Sequence, residues 1–209
     1  MRVRVRAGMR GSAAVAAAAV LAFVTAGPAA SAEPWRPRPG TLYISDIRLG
    51  DGVGWSAPPV QQGWGASYDC LEDWSWQRPE VNVWHREFTT AETATAEQKV
   101  VVFATEAEAV AFADAARQNY ADCPRRRNER PDLKATGYDH GVVNVEEGAT
   151  LQGMSTFDTD AQERPDFNYL WGVSRDGDTV TLVRWSSYWG APPVAAWKNV
   201  LRTAVNKLY

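Results

Sequence analysis

The apolar residues of the chain recur at helical spacing in two stretches, and the first stretch has a clear start signal. Thr105 precedes Glu108 by three positions, the spacing of a capping box in which each side chain accepts a backbone N–H. An apolar stripe follows at spacings of four, four and three, formed by Phe112, Ala116, Tyr120 and Cys123. Because proline disrupts a helix interior, we expect the helix to end at Pro124.

The second helical stretch lies near the last residue of the sequence. It starts after Pro192-Pro193, and proline is well tolerated in the first turn of a helix. Its apolar residues are spaced three or four apart, at Val194, Trp197, Leu201, Ala204 and Leu208. The pattern predicts an amphipathic helix with one face packed on the rest of the domain.

Shorter segments rich in β-branched and aromatic residues predict strands. Val81–Phe88 and Gln98–Ala104 are expected to form a hairpin around the polar segment Thr89–Glu97. Three further short strands with glycine-containing turns are expected at Asp132–Tyr138, Val142–Glu146 and Thr150–Phe157. A short strand is also expected close to the start of the folded part, at Leu42–Ile44.

The strongest hairpin pattern runs from Phe167 to Trp185, with Asp176-Gly177 at its turn. This dipeptide suits the positive φ angles of a two-residue turn. Folding there pairs residues of like character or opposite charge across the strands: Arg175 with Asp178, Val173 with Val180, and Trp171 with Leu182.

The order of predicted elements is strands, helix, strands, helix, which indicates the α+β class. We expect an antiparallel sheet of about six to seven strands with two main helices packed on one face. Residues 41–209 would form this single domain, preceded by a proline-rich leader at residues 33–40.

The first 32 residues have the pattern of a secretory signal peptide. Four arginines in the first ten residues precede an uncharged stretch, and the small residues Ala30-Ser31-Ala32 follow. This is the order that signal peptidase recognises, so we expect cleavage after Ala32 and a secreted, extracellular product. The uncharged stretch is shorter than the ~20 residues that cross a bilayer. We therefore expect no stable membrane insertion once the signal is removed.

Composition narrows the class of partner. Removing four arginines with the signal leaves 18 Lys+Arg against 25 Asp+Glu, a formal charge of -7. Nucleic-acid binding normally requires clustered positive charge, so no nucleic-acid partner is expected. Ten Trp, seven Tyr and six Phe are too much apolar material for a disordered chain.

The sequence has two cysteines, Cys70 and Cys123. Exported proteins meet an oxidising environment in which paired thiols are usually joined, so one structural disulfide is expected. Cys123 lies on the inward stripe of the first predicted helix, so the bridge would attach the end of that helix to the segment before the first hairpin.

Aromatic residues around Cys70 and near the last helix form the candidate ligand site. Trp and Tyr rings offer apolar area together with a polar group, which suits a sugar, a peptide or a flat organic ligand. The alternative is that these rings fill the core around the disulfide. The candidate binding residues are Trp74, Trp76, Trp84, Tyr188 and Trp189.

No catalytic, metal or cofactor motif occurs in the sequence. His85 and His140 are the only imidazoles, and neither has the partners that acid–base or metal chemistry requires at fixed spacing. We expect no catalytic residue, no metal and no cofactor. The primary hypothesis is a noncatalytic domain that binds an unknown small molecule or a cell-wall component.

Two functions of other classes stay open. One is a secreted hydrolase whose carboxylates meet only in three dimensions, with Glu146, Glu147 and Asp158 as candidates. The other is an interaction protein that binds the cell surface through the basic segment Arg125–Arg130.

Several short patterns together resemble a known family. They are Tyr68-Asp69-Cys70 before a hairpin, the helix start Phe103–Ala109, Tyr120-Ala121-Asp122-Cys123 at the helix end, and the Trp171-Gly172-Val173 strand. In these respects the chain is similar to the PknH-like extracellular sensor domain of actinobacterial serine/threonine kinases and of related secreted proteins and lipoproteins.

The resemblance to the PknH-like family implies an α+β domain with a cleft for an unidentified ligand. The family often has a second cysteine pair in its C-terminal half, and this chain has no cysteine besides Cys70 and Cys123. The 209 residues contain no kinase domain, so we do not expect a kinase's signalling output to carry over with the resemblance.

The signal and the disulfide make one measurable prediction. Intact-mass analysis of the exported protein should give a chain that begins at Glu33 and is two hydrogens lighter than its dithiol form. Alkylation without prior reduction should add no mass. A product that keeps residues 1–32, or that alkylates at two thiols, would contradict it.

Overall fold

The structure is a computed structural model that describes residues 35–50, 52–65, 70–71, 82–92, 94–160, 167–188 and 190–209. Two α-helices are present in these ranges, α1 (Glu106–Arg127) and α2 (Val194–Asn206), with one short 3-10 helix at Ile44–Asp46. The strands are β1 (Trp55–Ser56), β2 (Gln61–Gln62), β3 (Val83–Thr90), β4 (Thr95–Val102), β5 (Leu133–Val143), β6 (Ala149–Asp158), β7 (Phe167–Asp176) and β8 (Thr179–Ser187).

All strands belong to one antiparallel sheet. Its order is β1-β3-β4-β8-β7-β6-β5, and β2 also pairs with β3. The expected α+β class is confirmed: six long strands form the sheet, and two strands of two residues each extend it at the β3 edge. The expected disulfide is present, with 5.4 Å between the Cα atoms of Cys70 and Cys123.

The helices cover opposite faces of the sheet, which corrects the expectation of one shared face. Successive residues of a strand point to opposite faces, and β7 is apolar on both. Trp171 and Val173 pack in the cluster that contains the α1 residue Ala116, whereas Leu170 packs in the cluster that contains Trp197 of α2. Because the central strands carry apolar side chains on both faces, each face needs its own cover.

α1 begins as predicted and ends later than predicted. The Thr105 hydroxyl accepts from the Glu108 amide, and the Glu108 carboxylate accepts from the Thr105 amide. The helix then continues through Pro124 to Arg127. In this last turn the Arg126 guanidinium donates to the carbonyls of Cys70 and Asn119. These contacts stabilise the turn after the proline, so the helix does not end at Pro124.

Two predicted strands form one. The segments expected at Asp132–Tyr138 and Val142–Glu146 are joined in β5, which pairs with β6 on both sides of an irregularity between Asp139 and Val142. Gly141 lies within that irregularity and has φ 77°. A glycine adopts this conformation without the penalty of a side chain, so the strand passes through the expected turn without ending.

The β7–β8 hairpin turns one residue later than predicted. Asp176 pairs with Thr179, so the two turn residues are Gly177 and Asp178. Gly177 has φ 55°, which suits glycine at the first central position of a two-residue turn. Each predicted partner is therefore wrong by two residues: Val173 pairs with Leu182, Trp171 with Arg184 and Arg175 with Val180.

The segment before β1 packs on the α2 face. No strand forms at Leu42–Ile44; instead, the Leu42 amide donates to Oε1 of Gln98 over 2.7 Å, and Leu42 is buried against the α2 cluster. The leader contributes contacts of its own. The Arg36 amide donates to Oδ1 of Asn82, and the Arg36 guanidinium lies 3.2 Å from Asp178.

Gly172 is the point of close approach between β7 and α2. A Cβ atom there would lie 2.7 Å from Val183 and 2.8 Å from Leu201. We expect Gly172→Ala to lower the free energy of unfolding by about 1–3 kcal/mol through overpacking, measured by urea denaturation. Gly54→Ala is the matched control, since a Cβ at Gly54 meets nothing within 4 Å. Equal stability of the two variants would contradict the packing of α2 on this face.

Candidate functional site

The sheet edge beside β3 contains a gap. β1 pairs with Thr89 and Thr90 at one end of β3, and β2 pairs with Trp84 and His85 at the other end. The residues between β1 and β2 form no ladder, and they include Pro58 and Pro59. Proline has no N–H to donate to a ladder, so the edge strand is interrupted at this point.

A cleft of about 370 Å³ occupies this gap. Its volume lies in the lower part of the range for small-molecule sites. The lining is mixed, with two proline rings, two amides, one imidazole, one carboxylate and one guanidinium. The residues are Pro58, Pro59, Gln61, Gln62, Gly65, His85, Arg86 and Glu87.

His85 forms one wall of the cleft and is held in place by the backbone opposite. Its Nδ1 lies 2.8 Å from the carbonyl oxygen of Gly63; because a carbonyl only accepts, Nδ1 carries the proton. Gly65 has φ 69°, and a Cβ there would lie 2.7 Å from Cδ2 of His85. Glycine at this position therefore lets the chain pass directly over the imidazole.

Arg86 holds the backbone of the proline segment through a hydrogen bond. Its Nε donates to the carbonyl of Pro58 over 2.9 Å, and its NH1 donates to the carbonyl of Leu42 over 3.0 Å. The guanidinium also lies 5.4 Å from the centre of the Phe88 ring, within the range of a cation–π contact. Arg86 thus joins the rim of the cleft to the segment that covers the α2 face.

A buried ion pair lies next to the cleft on the α1 face. Glu97 and Lys99 are only 3% and 4% exposed and are in direct contact. Lys99 also donates to the carbonyl of Trp64 over 2.5 Å. In the sheet register Lys99 lies opposite His85, and Glu97 lies opposite Glu87. The pair therefore forms the polar layer between the cleft and the core.

Burial dominates the ionisation of this pair. It raises the pKa of the Glu97 carboxyl, against the opposing effect of Lys99. It lowers the pKa of the Lys99 ammonium, against the opposing effect of Glu97. Arg184, whose Nε lies 3.9 Å from Oε2 of Glu97, also favours the carboxylate form. Each charge is therefore tolerated because its partner is present.

Of the five aromatic residues proposed from sequence, Trp84 and Tyr188 lie in the part that is described, and these two do not lie side by side. Trp84 is 6% exposed, whereas Tyr188 is 46% exposed. Trp84 lies on the same face of β3 as Phe88, which packs in the α2 cluster. Tyr188 follows the far end of β8, where its ring meets Phe167 edge-on at 4.2 Å. Trp74, Trp76 and Trp189 lie outside the described residues.

Other rings contribute to the core around the disulfide, as the alternative proposed. Trp64 packs against the cluster that contains both cysteines, with its ring 5.9 Å from that of Phe112. Tyr120 stacks on Trp171 at 5.1 Å.

The carboxylates of the hydrolase hypothesis lie far apart. Glu147 precedes β6, accepts from the Gly177 amide and pairs with Arg175 at 2.7 Å. Asp158 is the last residue of β6, a strand of ten residues, which places it about 30 Å away at ~3.4 Å per residue. Glu146 is exposed beside Glu147. The structure does not bring these groups together in one site.

The basic segment is partly committed to internal contacts. Arg126 holds the backbone of Cys70, Arg125 lies 3.3 Å from Glu129, and Arg130 lies 2.7 Å from Asp132. Arg125 and Arg127 belong to α1, which continues past the helix end expected at Pro124. The guanidinium groups of Arg125, Arg126 and Arg130 are thus engaged within this chain and are not simply solvated charges.

Sequence reasoning missed both the cleft and the ion pair. The signal for the cleft is Pro58-Pro59, and local pattern alone does not show which strand the residues on either side of the two prolines pair with. The signal for the ion pair was the alternation of Glu97 and Lys99 directly before three valines, which was divided between a polar turn and a strand. No group of three or more His, Cys, Asp or Glu residues able to hold a metal occurs among the described residues.

No protein-family model and no curated protein sequence matches the chain. Among solved structures, the chain is similar to the crystal structure of the extracellular domain of PknH from Mycobacterium tuberculosis. The two share a fold. The TM-score is 0.51 at 14% sequence identity, and the match covers 80% of this chain and 93% of that domain. The PknH-like resemblance inferred from sequence is thereby confirmed at the level of fold.

The two cysteines are joined, as is common in proteins exported to an oxidising compartment. Among the described residues, no helix combines the length and apolarity needed to span a bilayer.

The buried ion pair makes a quantitative prediction. Glu97→Leu and Lys99→Met should each lower the free energy of unfolding by about 3–5 kcal/mol, because each leaves one buried charge uncompensated. The double variant should lose far less than the sum of the two, as measured by urea denaturation.

The exposed pair Arg125 and Glu129 provides the control for that cycle, since both side chains are about two-thirds exposed. Glu129→Leu with Arg125→Met should change stability by less than about 1 kcal/mol. Additive losses at Glu97 and Lys99 would show that the two charges are not compensating each other.

Proposed function

We propose that this protein is a secreted, noncatalytic, sensor-like domain that binds a small ligand in the cleft beside β3. The observation that carries the proposal is the cleft itself: about 370 Å³, with polar groups on several sides and proline rings at its rim. Secretion would follow cleavage after Ala32. The ligand would be a small molecule or a fragment of the cell wall.

The rigidity of the cleft walls supports binding. His85 is fixed by Gly63, Arg86 is fixed by Pro58 and Leu42, and the ion pair beneath holds the Trp64 carbonyl. A site that is ordered before the ligand arrives loses less conformational freedom on binding. The fold shared with an extracellular domain of PknH is compatible with a sensor-like role.

The chemistry of the lining favours binding over catalysis. Among the lining residues, the one carboxylate is Glu87 and the one imidazole is His85, and the Nδ1–H of that imidazole is already donated to a carbonyl. The lining contains no serine, threonine or cysteine to act as a nucleophile. The groups present are suited to hydrogen bonding with a polar ligand.

A cleft-filling substitution tests this function. A thermal-shift screen of sugars, wall fragments and small peptides should give at least one ligand that raises Tm, because a ligand that binds only the native state stabilises it. Gln61→Trp should abolish that shift by filling the cleft. We expect a loss of at least about tenfold in affinity.

A second hollow of about 310 Å³ supplies the matched control. It lies between the 3-10 helix and α2 and includes Thr203. Thr203→Trp fills it and should leave the ligand-induced shift unchanged. Equal losses in the two variants, or no stabilising ligand in the screen, would count against binding in the β3 cleft.

A further inference from the structure

The main-chain groups of β3 alternate between the neighbouring strand β4 and the outer edge. The carbonyl of Asn82 accepts from the Val102 amide, and the amide of Thr90 donates to the Ala94 carbonyl. The N–H and C=O groups of the even-numbered residues of β3 therefore point toward β4. Odd-numbered residues face the edge: the carbonyl of Val83 accepts from Gly63. The N–H and C=O of Glu87 therefore point to the edge, where the cleft lies.

The edge ladder is filled on both sides of Glu87. Gln61 lies opposite His85, and Ser56 lies opposite Thr89. Extending the β2 register by two residues places Pro59 opposite Glu87. Extending the β1 register by two residues places Pro58 there instead. Neither proline has an N–H, and no hydrogen bond to the main chain of Glu87 occurs on this side among the described residues. One rung of the ladder is left open, and it faces the cleft.

The open rung defines what a ligand must supply. Glu87 offers one N–H donor and one C=O acceptor on the same side, which is half of a hydrogen-bonded pair in an antiparallel sheet. The complementary half is the N–H and C=O of one extended peptide residue, as in peptides that add to a sheet edge. A single amide group cannot supply both, because its N–H and C=O point in opposite directions.

Size and charge restrict the peptide further. The rungs at His85 and Thr89 are already occupied by β2 and β1, so a long strand cannot lie along this edge. Glu87 also carries a carboxylate for which the described residues provide no hydrogen bond or ion pair, whereas the other charged lining residue, Arg86, donates to two carbonyls. A ligand ammonium near Glu87 would compensate that charge.

We propose that the ligand of this cleft is a short peptide with a free amino terminus, one residue of which pairs with the main chain of Glu87. The proposal rests on the proposed function and adds the class of ligand to it. The peptide ammonium binds the Glu87 carboxylate, and the next residue donates its N–H to the Glu87 carbonyl and accepts from the Glu87 amide. The prolines on the opposite side keep this rung open.

Amide-resolved NMR on the full mature chain tests the proposal. The probe is an equimolar library of tripeptides with free amino termini. We expect it to shift the Glu87 amide resonance and to slow hydrogen exchange at that amide. The same library with an N-methylated middle residue should bind at least about tenfold more weakly, because it lacks the N–H that reaches the Glu87 carbonyl.

Charge is tested separately. N-acetylation of the library, or Glu87→Gln in the protein, should each weaken binding by about tenfold. The two changes together should weaken it no further than one alone. Glu92→Gln is the control, since Glu92 is exposed in the turn after β3 and should leave peptide binding unchanged.

The outcomes separate this inference from the proposed function. Equal binding of the N-methylated library would overturn the pairing with Glu87. If N-acetylglucosamine shifts the amides of the cleft and no peptide does, the cleft binds a ligand but the peptide class is wrong. Peptide-induced shifts confined to residues outside the cleft would also overturn the inference.

Discussion

Burial of both faces of β7 and β8 is the constraint on which this fold depends. Trp171 and Val173 require cover on one face, and Leu170 and Val183 require it on the other. One helix cannot supply both, so α1 and α2 lie on opposite sides of the sheet. Both helices lie over the half of the sheet that runs from β8 to β5, which leaves β3 and β4 to be covered largely by irregular segments.

Those irregular segments are fixed by polar anchors. On the α2 face, the backbone of Leu42 is held by the Gln98 amide. On the α1 face, the Trp64 carbonyl is held by Lys99, and the Cys70 carbonyl is held by Arg126 beside the disulfide. A buried lysine requires a compensating charge, which accounts for Glu97. The ion pair is therefore a consequence of covering a sheet with a loop, and the cleft forms where that loop leaves the edge.

The parts of the fold that were predictable are those set by local periodicity. The capping box at Thr105 located the start of α1, and the apolar spacing from Trp197 to Leu208 located α2. Periodicity shows that a residue is buried, but it does not show against which face of the sheet the residue packs. The placement of the two helices on opposite faces could therefore not be predicted from it. The β7–β8 turn was placed one residue too early, which shifts the register by two, because Gly177 suits either central position of the turn and both registers give opposed apolar pairs.

The site was less predictable than the fold because it depends on pairing over long sequence distances. Pro58 and Pro59 reveal nothing until β1 and β2, each of two residues, are seen to pair with the same strand. Two-residue strands have too little pattern to be recognised. Lys99 and His85 likewise become neighbours only through the β3–β4 register. The aromatic residues suggested a ligand site in the sequence because their rings combine apolar area with a polar group, but Trp84 is buried and Trp64 packs against the cluster around the disulfide.

The proline pair has one more consequence, for the behaviour of the domain in concentrated solution. An uninterrupted outer strand would present a row of free amides and carbonyls to other molecules, and such rows promote growth of sheets from chain to chain. Prolines at positions 58 and 59 break that row, since they offer no N–H and lie in neither β1 nor β2. An edge with room for a single rung gives no template for a second copy of the sheet, so the opening does not make the domain prone to aggregate there.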